Sequence, residues 1–436
     1  MVIDFIYDRV LLPIADLGFH VAAAWNEKAK ASVRGRADWA GRLERQLEDA
    51  PGGPRLLFHA PSVGEFLQGR AVLDLILDKY PEMVPVVTHF SPSAEKIVDA
   101  YKRAAAHGYL PLDTHRNVKT LLDIVSPSFL AFARADVWPN LAESAHERGV
   151  PTALVAGGLS VGSAKLSRST VTFVRRRFKN LQFIGAISDE DAARFREVGA
   201  DPQIIEVTGD PRFDQTWDRA RSVAPDDPLF NSFPRDGWTL VAGSTWPADE
   251  KVLLPAFAAI HKKHPESRMI LAPHEPAPER IQSLTLLLAA MKIESATLSE
   301  MEKTGPGNVA VSLIDRVGVL GKLYLLGSAA FVGGGFLRRV HNVMEPACFA
   351  LPVIVGPRHK NSHEALMMIE RGGCFSADNE KAVTELLLRF IEDEGYRSDA
   401  GARAAKLVES QRGAASRTVA ALSKRFPGLF PPKADF

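Results

Sequence analysis

The residues able to do chemistry in this chain sit in short polar stretches, each directly after an apolar run. Ser62-Val63-Gly64-Glu65 follows residues 55–60, Arg134 and Asp136 follow 129–133, and Gly209-Asp210-Pro211-Arg212-Phe213-Asp214 follows 205–208. Farther on, Gly243-Ser244-Thr245-Trp246 follows 239–242 and Pro273-His274-Glu275 follows 269–272. The longest such region, residues 329–357, has an apolar tetrad, three glycines (Gly333 to Gly335), His341-Asn342, Glu345 and a second apolar run at 353–355. Glycines let a backbone turn tightly and lie close to a ligand. Asn342 can cap the helix behind it, and amides at a helix start suit an anion. Glu345 can accept hydrogen bonds from a ribose diol; it can equally be a solvated first-turn acid favoured by the helix dipole. One loop of this kind means little, but five facing one crevice favour a substrate site.

The elements that must hold these loops alternate between strand and helix. Strands are predicted at 55–60, 84–88, 108–113, 129–133, 152–156, 183–188 and 205–208, with helical runs between them. Residues 223–236 break the pattern with three prolines and several acids, as a linker does. Alternation resumes at 239–242, 269–272, 309–312, 329–332 and 352–355. Regular βα alternation argues for mostly parallel sheets with helices on both faces. Two similar α/β domains with a cleft between them are expected, over 48–222 and 237–436, the second ending in a basic amphipathic helical run at 398–426.

Bulk composition agrees. At 436 residues the chain is too long for one ordinary core. With 46% hydrophobic and 24% charged residues it is globular, and a net charge of +1 gives no push toward nucleic acid. Two cysteines, Cys348 and Cys374, cannot make a disulfide framework, which fits a reducing compartment, and both read as buried packing. Residues 1–25 are apolar but interrupted by Asp4, Asp8, Arg9, Asp16 and His20, too charged for a spanning helix and without the basic start of a signal peptide. A basic segment with Trp39 follows, through residue 45. Residues 1–47 therefore suit a helix lying in a membrane interface, against the alternative of a helix packed on the protein's own surface.

In this order, the polar loops resemble those of the 3-deoxy-D-manno-octulosonic acid (Kdo) transferases of lipopolysaccharide assembly. The matching pieces are His59 to Glu65 (HAPSVGE), Asp136 to Asn140 (DVWPN), Gly209 to Asp214 (GDPRFD), Ala242 to Glu250 (AGSTWPADE), Ala272 to Pro276 (APHEP) and His341 to Ala347 (HNVMEPA). The resemblance covers nearly the whole chain. It implies a GT-B architecture, two Rossmann-like domains facing across a cleft, and an inverting, metal-independent transfer of Kdo from CMP-Kdo to a lipid A precursor. It places the enzyme at the cytoplasmic face of the inner membrane and requires no cofactor beyond the CMP-sugar donor. Glu65 matches the catalytic base, which takes the proton of the attacking sugar hydroxyl. Arg212 matches a basic residue able to stabilise charge developing on the CMP leaving group, and Asp136 holds the position of a family acid. Gly243, Ser244 and Thr245 are implied phosphate contacts through amides and hydroxyls. Pro273 and His274, the loop Val317-Gly318-Val319, and Asn342, Val343, Met344 and Glu345 fall at nucleotide-contacting positions.

The chain departs from the family twice. Many members have Met-Glu-Thr-Glu-Leu-Trp-Pro-Asn where this sequence reads Ala133-Arg134-Ala135-Asp136-Val137-Trp138-Pro139-Asn140. Many have Asn-Ala-Arg-Leu-Ser where it reads Ala156-Gly157-Gly158-Leu159-Ser160. A missing acid and a missing base can compensate, with Arg134 supplying the lost charge. Two other readings stand beside the Kdo transferase: a same-fold transferase with a different donor or acceptor, and a non-catalytic nucleotide-binding membrane protein, against which Glu65 argues because binding alone has no use for a base.

Overall fold

The computed structural model describes residues 6–159, 171–234 and 237–433; Ser160 and the first five residues of the expected membrane helix lie outside them. The chain divides into two compact units, Met1–Gln215 with Arg412–Phe436, and Thr216–Gln411.

The first unit is built on seven strands: β1 (Arg55–His59), β2 (Val84–His89), β3 (Ala106–Tyr109), β4 (Phe129–Ala133), β5 (Thr152–Gly157), β6 (Phe183–Ala186) and β7 (Ile205–Val207). Their order is β3-β2-β1-β4-β5-β6-β7 and every pairing is parallel. Apolar residues run continuously along β1 and β4 because helices cover both faces. Leu57, Leu130 and Phe132 enter one core, whereas Leu56, Phe58, Phe129 and Ala131 enter the other, the two-residue alternation of a strand. The strand order reverses between β1 and β4, which opens a crevice at their carboxyl ends.

The second unit repeats the plan. Its strands are β8 (Thr239–Thr245), β9 (Arg268–Pro273), β10 (Ser295–Thr297), β11 (Val311–Leu313), β12 (Ala329–Val332), β13 (Val353–Val355) and β14 (Cys374–Ser376). The order is β10-β11-β9-β8-β12-β13-β14, again parallel, with its reversal between β8 and β12. Both cysteines are buried and free, and burial pushes the Cys374 thiol up to about 12.

Several expectations need correction. The edge strands β10 and β14 were not anticipated; each is three residues long, too short to carry a period. Within the expected linker 223–236, of which residues 235–236 lie outside the described residues, Phe230 and Phe233 are buried in one core cluster with Val241 and Ile270. The second unit does not extend to residue 436. Helix Ala414–Arg425 returns to the first unit, where Val419 and Leu422 pack with Leu73 and Phe129. Nor is the boundary at residue 47 real: helix Trp39–Glu48 sends Leu43 and Leu47 into the first unit's core. Ahead of it, a helical segment runs from Tyr7 through Ala22. No helix among the described residues is long and apolar enough to cross a membrane.

Candidate functional site

At the carboxyl ends of β1, β4 and β5, the first unit holds a cavity of about 390 Å³ lined by Pro61, Ser62, Glu65, Phe90, Ser91, Arg134, Ala135, Asp136, Gly158 and Leu159. Glu65 stands in the first turn of helix Val63–Lys79. Ser62 occupies the N-cap, yet its hydroxyl accepts from no backbone amide; it donates to Glu65 Oε2, so it orients the carboxylate. Arg134 adopts a left-handed backbone (φ 63°), a conformation costly for a residue with a Cβ and concentrated at functional sites. Its Nη1 donates to Gln68 Oε1 at 3.2 Å. Asp136 lies 3.6 Å from Arg177 Nη1. Three residues singled out by type and position, Glu65, Arg134 and Asp136, thus share one cavity.

Arg212 is not among the lining residues of that cavity. It sits in the first turn of helix Pro211–Arg221, and a single oxygen, Asp210 Oδ2, accepts from its Nε at 2.8 Å and lies 2.7 Å from its Nη2. Asp214 of the same motif is structural: it accepts from Gly413 N at 2.5 Å and Ala415 N at 2.8 Å, so it caps the returning C-terminal helix.

In the second unit the loop after β8 meets the loop after β12. Asp249, fully buried, ties them: it accepts from Trp246 N (2.9 Å), Gly334 N (2.8 Å) and Phe336 N (3.1 Å). The glycine-rich turn therefore lies close to its own chain, a different partner from the ligand its glycines suggested. A Cβ on Gly333 would strike the Ser244 carbonyl, and one on Gly335 would approach Gly356 N to 2.6 Å. Gly243 leaves room for the Tyr324 hydroxyl. Thr245 is buried and its hydroxyl donates to Glu250 Oε1 at 2.8 Å, so that proton is committed internally; Glu250 also pairs with Arg280. Ser244, half-buried and left-handed (φ 54°), carries the loop's other hydroxyl.

Around this junction sits a stack of rings. His274 lies 4.3 Å from His341 and 4.8 Å from Trp246, centroid to centroid. Trp246 Nε1 donates to His341 Nε2 at 2.9 Å. Since indole nitrogen only donates, His341 is neutral with its proton on Nδ1, and burial lowers its pKa to about 4. Pro273 ends β9, and the His274 amide donates to Thr245 O at 2.9 Å.

Asn342 Oδ1 accepts from Met344 N at 3.0 Å, the anticipated cap, but the helix it starts is the single turn Met344–Ala347. Val343 and Met344 are buried; Glu345 keeps a quarter of its side-chain surface exposed. Burial raises the Glu345 pKa, opposed by Arg219 at 3.8 Å and by Asn342. The Val317-Gly318-Val319 loop is open, with Val317 76% exposed. It leads to Gly321, where an added Cβ would lie 4.0 Å from Glu345 Oε2, so the loop and Glu345 are neighbours.

Trp246, His341, Asp249 and Tyr324 were not assigned roles from sequence. The signal for the first three was their place inside the matched motifs; Tyr324 had none, because its role is to fill space beside a distant glycine.

Two parallel-sheet α/β units are the fold of GT-B-like proteins. UDP-GlcNAc 2-epimerase from Neisseria meningitidis, solved bound to UDP-GlcNAc, shares it with a TM-score of 0.64 at 14% identity, covering 85% of this chain and 100% of that one. Residues 34–215 match the family described as 3-Deoxy-D-manno-octulosonic-acid transferase (kdotransferase). The 3-deoxy-D-manno-octulosonic acid transferase of Haemophilus influenzae is 26% identical over 83% of this chain and 85% of its own length. That of Chlamydophila psittaci is 29% identical over 81% of this chain and 82% of its own. A Kdo transferase family domain and similarity to curated Kdo transferases, which are glycosyltransferases, thus extend over most of the chain.

Proposed function

We propose that this protein transfers Kdo from CMP-Kdo to a lipid A precursor with inversion, at the cytoplasmic face of the inner membrane and without a metal ion. The observation that carries the reading is the cavity in which Glu65, Arg134 and Asp136 meet. In it Glu65, oriented by Ser62, takes the proton of an acceptor hydroxyl as that oxygen attacks the anomeric carbon of Kdo. The bond from that carbon to phosphate breaks and CMP departs with the electron pair. Because attack and departure occur on opposite faces, the anomeric configuration inverts. Arg212 stabilises the charge growing on the departing phosphate. The second unit holds the nucleotide: Gly243, Ser244 and the Pro273-His274 loop face the phosphate, Val317 to Val319 contact CMP through their backbone, and Glu345 accepts from the ribose with Asn342 to Met344 shaping its turn.

The family departures fit this reading. Gly158, at the position where many relatives carry Arg, and Arg134, where they carry an acid, line the same cavity. A guanidinium from the loop after β4 thus stands in for one from the loop after β5, so the cavity keeps one guanidinium while losing one carboxylate. The N-terminal helical segment supports membrane association, since Ile14 and Leu17 are 61% and 65% exposed and Trp25 77%.

The test is Glu65→Gln, which keeps shape and removes the base. Transfer should fall by roughly 10² to 10⁴ while CMP binding is retained. Full transfer by this variant would end the assignment of Glu65.

A further inference from the structure

The buried polar groups that the proposed reaction leaves unused gather at Asn140, last residue of the DVWPN motif. Asn140 is fully buried, and its Nδ2 donates to Asp8 Oδ1 at 2.7 Å and to the Asp113 carbonyl at 2.5 Å. Its Oδ1 accepts from Arg176 Nη2 at 2.8 Å, and its amide donates to Asp113 Oδ2 at 2.9 Å. Asp113, also buried, accepts in addition from Tyr7 Oη at 2.9 Å and from Leu141 N at 3.0 Å. His115 Nε2 lies 3.1 Å from Asp8 Oδ2. Tyr7 and Asp8 open the N-terminal helical segment, so this is a clasp between that segment and the motif.

From the clasp, two physical links reach the Glu65 cavity. Arg176 and Arg177 are consecutive on helix Val171–Lys179: the first holds Asn140, the second pairs with Asp136 in the cavity wall. Trp138, two residues before Asn140, packs on Phe90, another wall residue, at 4.8 Å between centroids. The far end of the N-terminal segment touches the same wall. Phe19 meets Phe90 edge-on at 5.8 Å, and Arg36 lies 3.9 Å over the Phe90 ring while its Nη2 donates to Phe90 O at 2.7 Å. The segment is thus fastened at one end to Asn140 and Asp113 and at the other to Phe90 of the cavity wall, with its apolar residues Ile14, Leu17 and Val21 exposed.

We infer that Asn140 is a positioning residue: by holding Asp8 directly, and Tyr7 through Asp113, it makes the N-terminal segment part of the wall that seats the lipid acceptor beside Glu65. A residue of a matched motif thus acts on the N-terminal segment proposed to meet the lipid surface. This inference rests on the Kdo transferase reading for its substrate, but the coupling itself is a property of the fold. The clasp and the Phe90 contacts all lie within the first unit, so their loss is felt at the cavity wall, whereas the donor is proposed to bind in the second unit.

Tyr7→Phe removes one hydroxyl and keeps the ring; Asn140→Ala removes the hub. Hydrogen–deuterium exchange on the full chain should show uptake rising roughly tenfold in rate both in residues 7–22 and in residues 134–138 for Tyr7→Phe, with β1 and β4 unchanged. In steady-state assays with CMP-Kdo and a lipid A precursor in phospholipid vesicles, the acceptor KM should rise roughly tenfold, with the CMP-Kdo KM within twofold. The Tyr7→Phe and Asn140→Ala effects should be less than additive, because both open one clasp. Loosening of residues 7–22 with no change at 134–138 overturns the coupling, as does a KM increase shared equally by donor and acceptor. If Asn140→Ala does not fold, Tyr7→Phe decides alone. If the unaltered protein transfers no Kdo, the proposed function fails and the exchange result still decides the clasp.

Discussion

Asp249 lets the organisation of the second unit be tested with one atom. Its carboxylate is fully buried and accepts three backbone amides at 2.8 to 3.1 Å, one from the loop after β8 and two from the glycine-rich turn after β12. Asp249→Asn preserves shape and can leave one oxygen toward Trp246 N and Gly334 N, but it turns an NH2 toward Phe336 N. One buried amide then loses its acceptor, at about 1–3 kcal/mol, and two charge-assisted bonds become neutral ones, each weaker by about 0.5–1 kcal/mol. The sum is about 2–5 kcal/mol, a large fraction of ordinary domain stability. Urea unfolding followed by circular dichroism should show it. Native-state exchange should show the Gly334 and Phe336 amides losing protection, and calorimetry should show CMP binding weakened, because the loop after β8, proposed to face the phosphate, is no longer tied to the glycine-rich turn. A variant within 0.5 kcal/mol of the parent protein, with both amides still protected, would refute the claim that this carboxylate organises the nucleotide half.

Three further expectations follow from the same geometry. Arg134→Ala should lower transfer roughly tenfold to hundredfold, with Arg134→Lys recovering part of it; unchanged transfer would remove Arg134 from the charge balance of the cavity. Gly243→Ala should cost about 1–3 kcal/mol in thermal or urea unfolding, since its methyl meets the buried Tyr324 hydroxyl, whereas Gly18→Ala, with open space around it, should be near neutral. Acid should destabilise the first unit: burial holds His59 at about 3 and His89 at about 4. Both pKa values are depressed below the unfolded value, so the unfolded chain binds more protons as pH falls from about 6.5. Stability is then complete above that pH and is lost toward pH 4 at roughly 1.4 kcal/mol per unit for each imidazole; a urea midpoint that stays flat from pH 7 to 4.5 would contradict it.

Much of the fold was legible because parallel strands buried on both faces are written as unbroken apolar runs. Leu56-Leu57-Phe58 and Phe129 to Ala133 are examples, and loops after such strands collect function. Glu65 and Asp136 were found that way, and they do share a cavity. What stayed hidden depends on contacts far apart in sequence. Nothing local shows that Leu43 and Leu47 enter a core, that residues beyond Arg412 return to the first unit, or that Gly333 is small to admit the Ser244 carbonyl. The same limit explains Thr245 and Asp249: their types suit phosphate binding and helix capping, but only the folded chain shows that Glu250 takes the Thr245 proton and that Asp249 spans two loops. Nothing in the sequence links Tyr7 and Asp8 to Asn140, 132 to 133 residues away, yet with Asp113 they form one hydrogen-bond network.

The most direct test of the central claim is transfer itself. Purified protein is incubated with CMP-Kdo and a lipid A precursor in vesicles, and the lipid product is resolved by mass and its anomeric configuration read by NMR. The account predicts a Kdo-bearing lipid of inverted configuration, formed by the parent protein and nearly abolished by Glu65→Gln. CMP binding without any Kdo-bearing lipid, or a product with retained configuration, would contradict it.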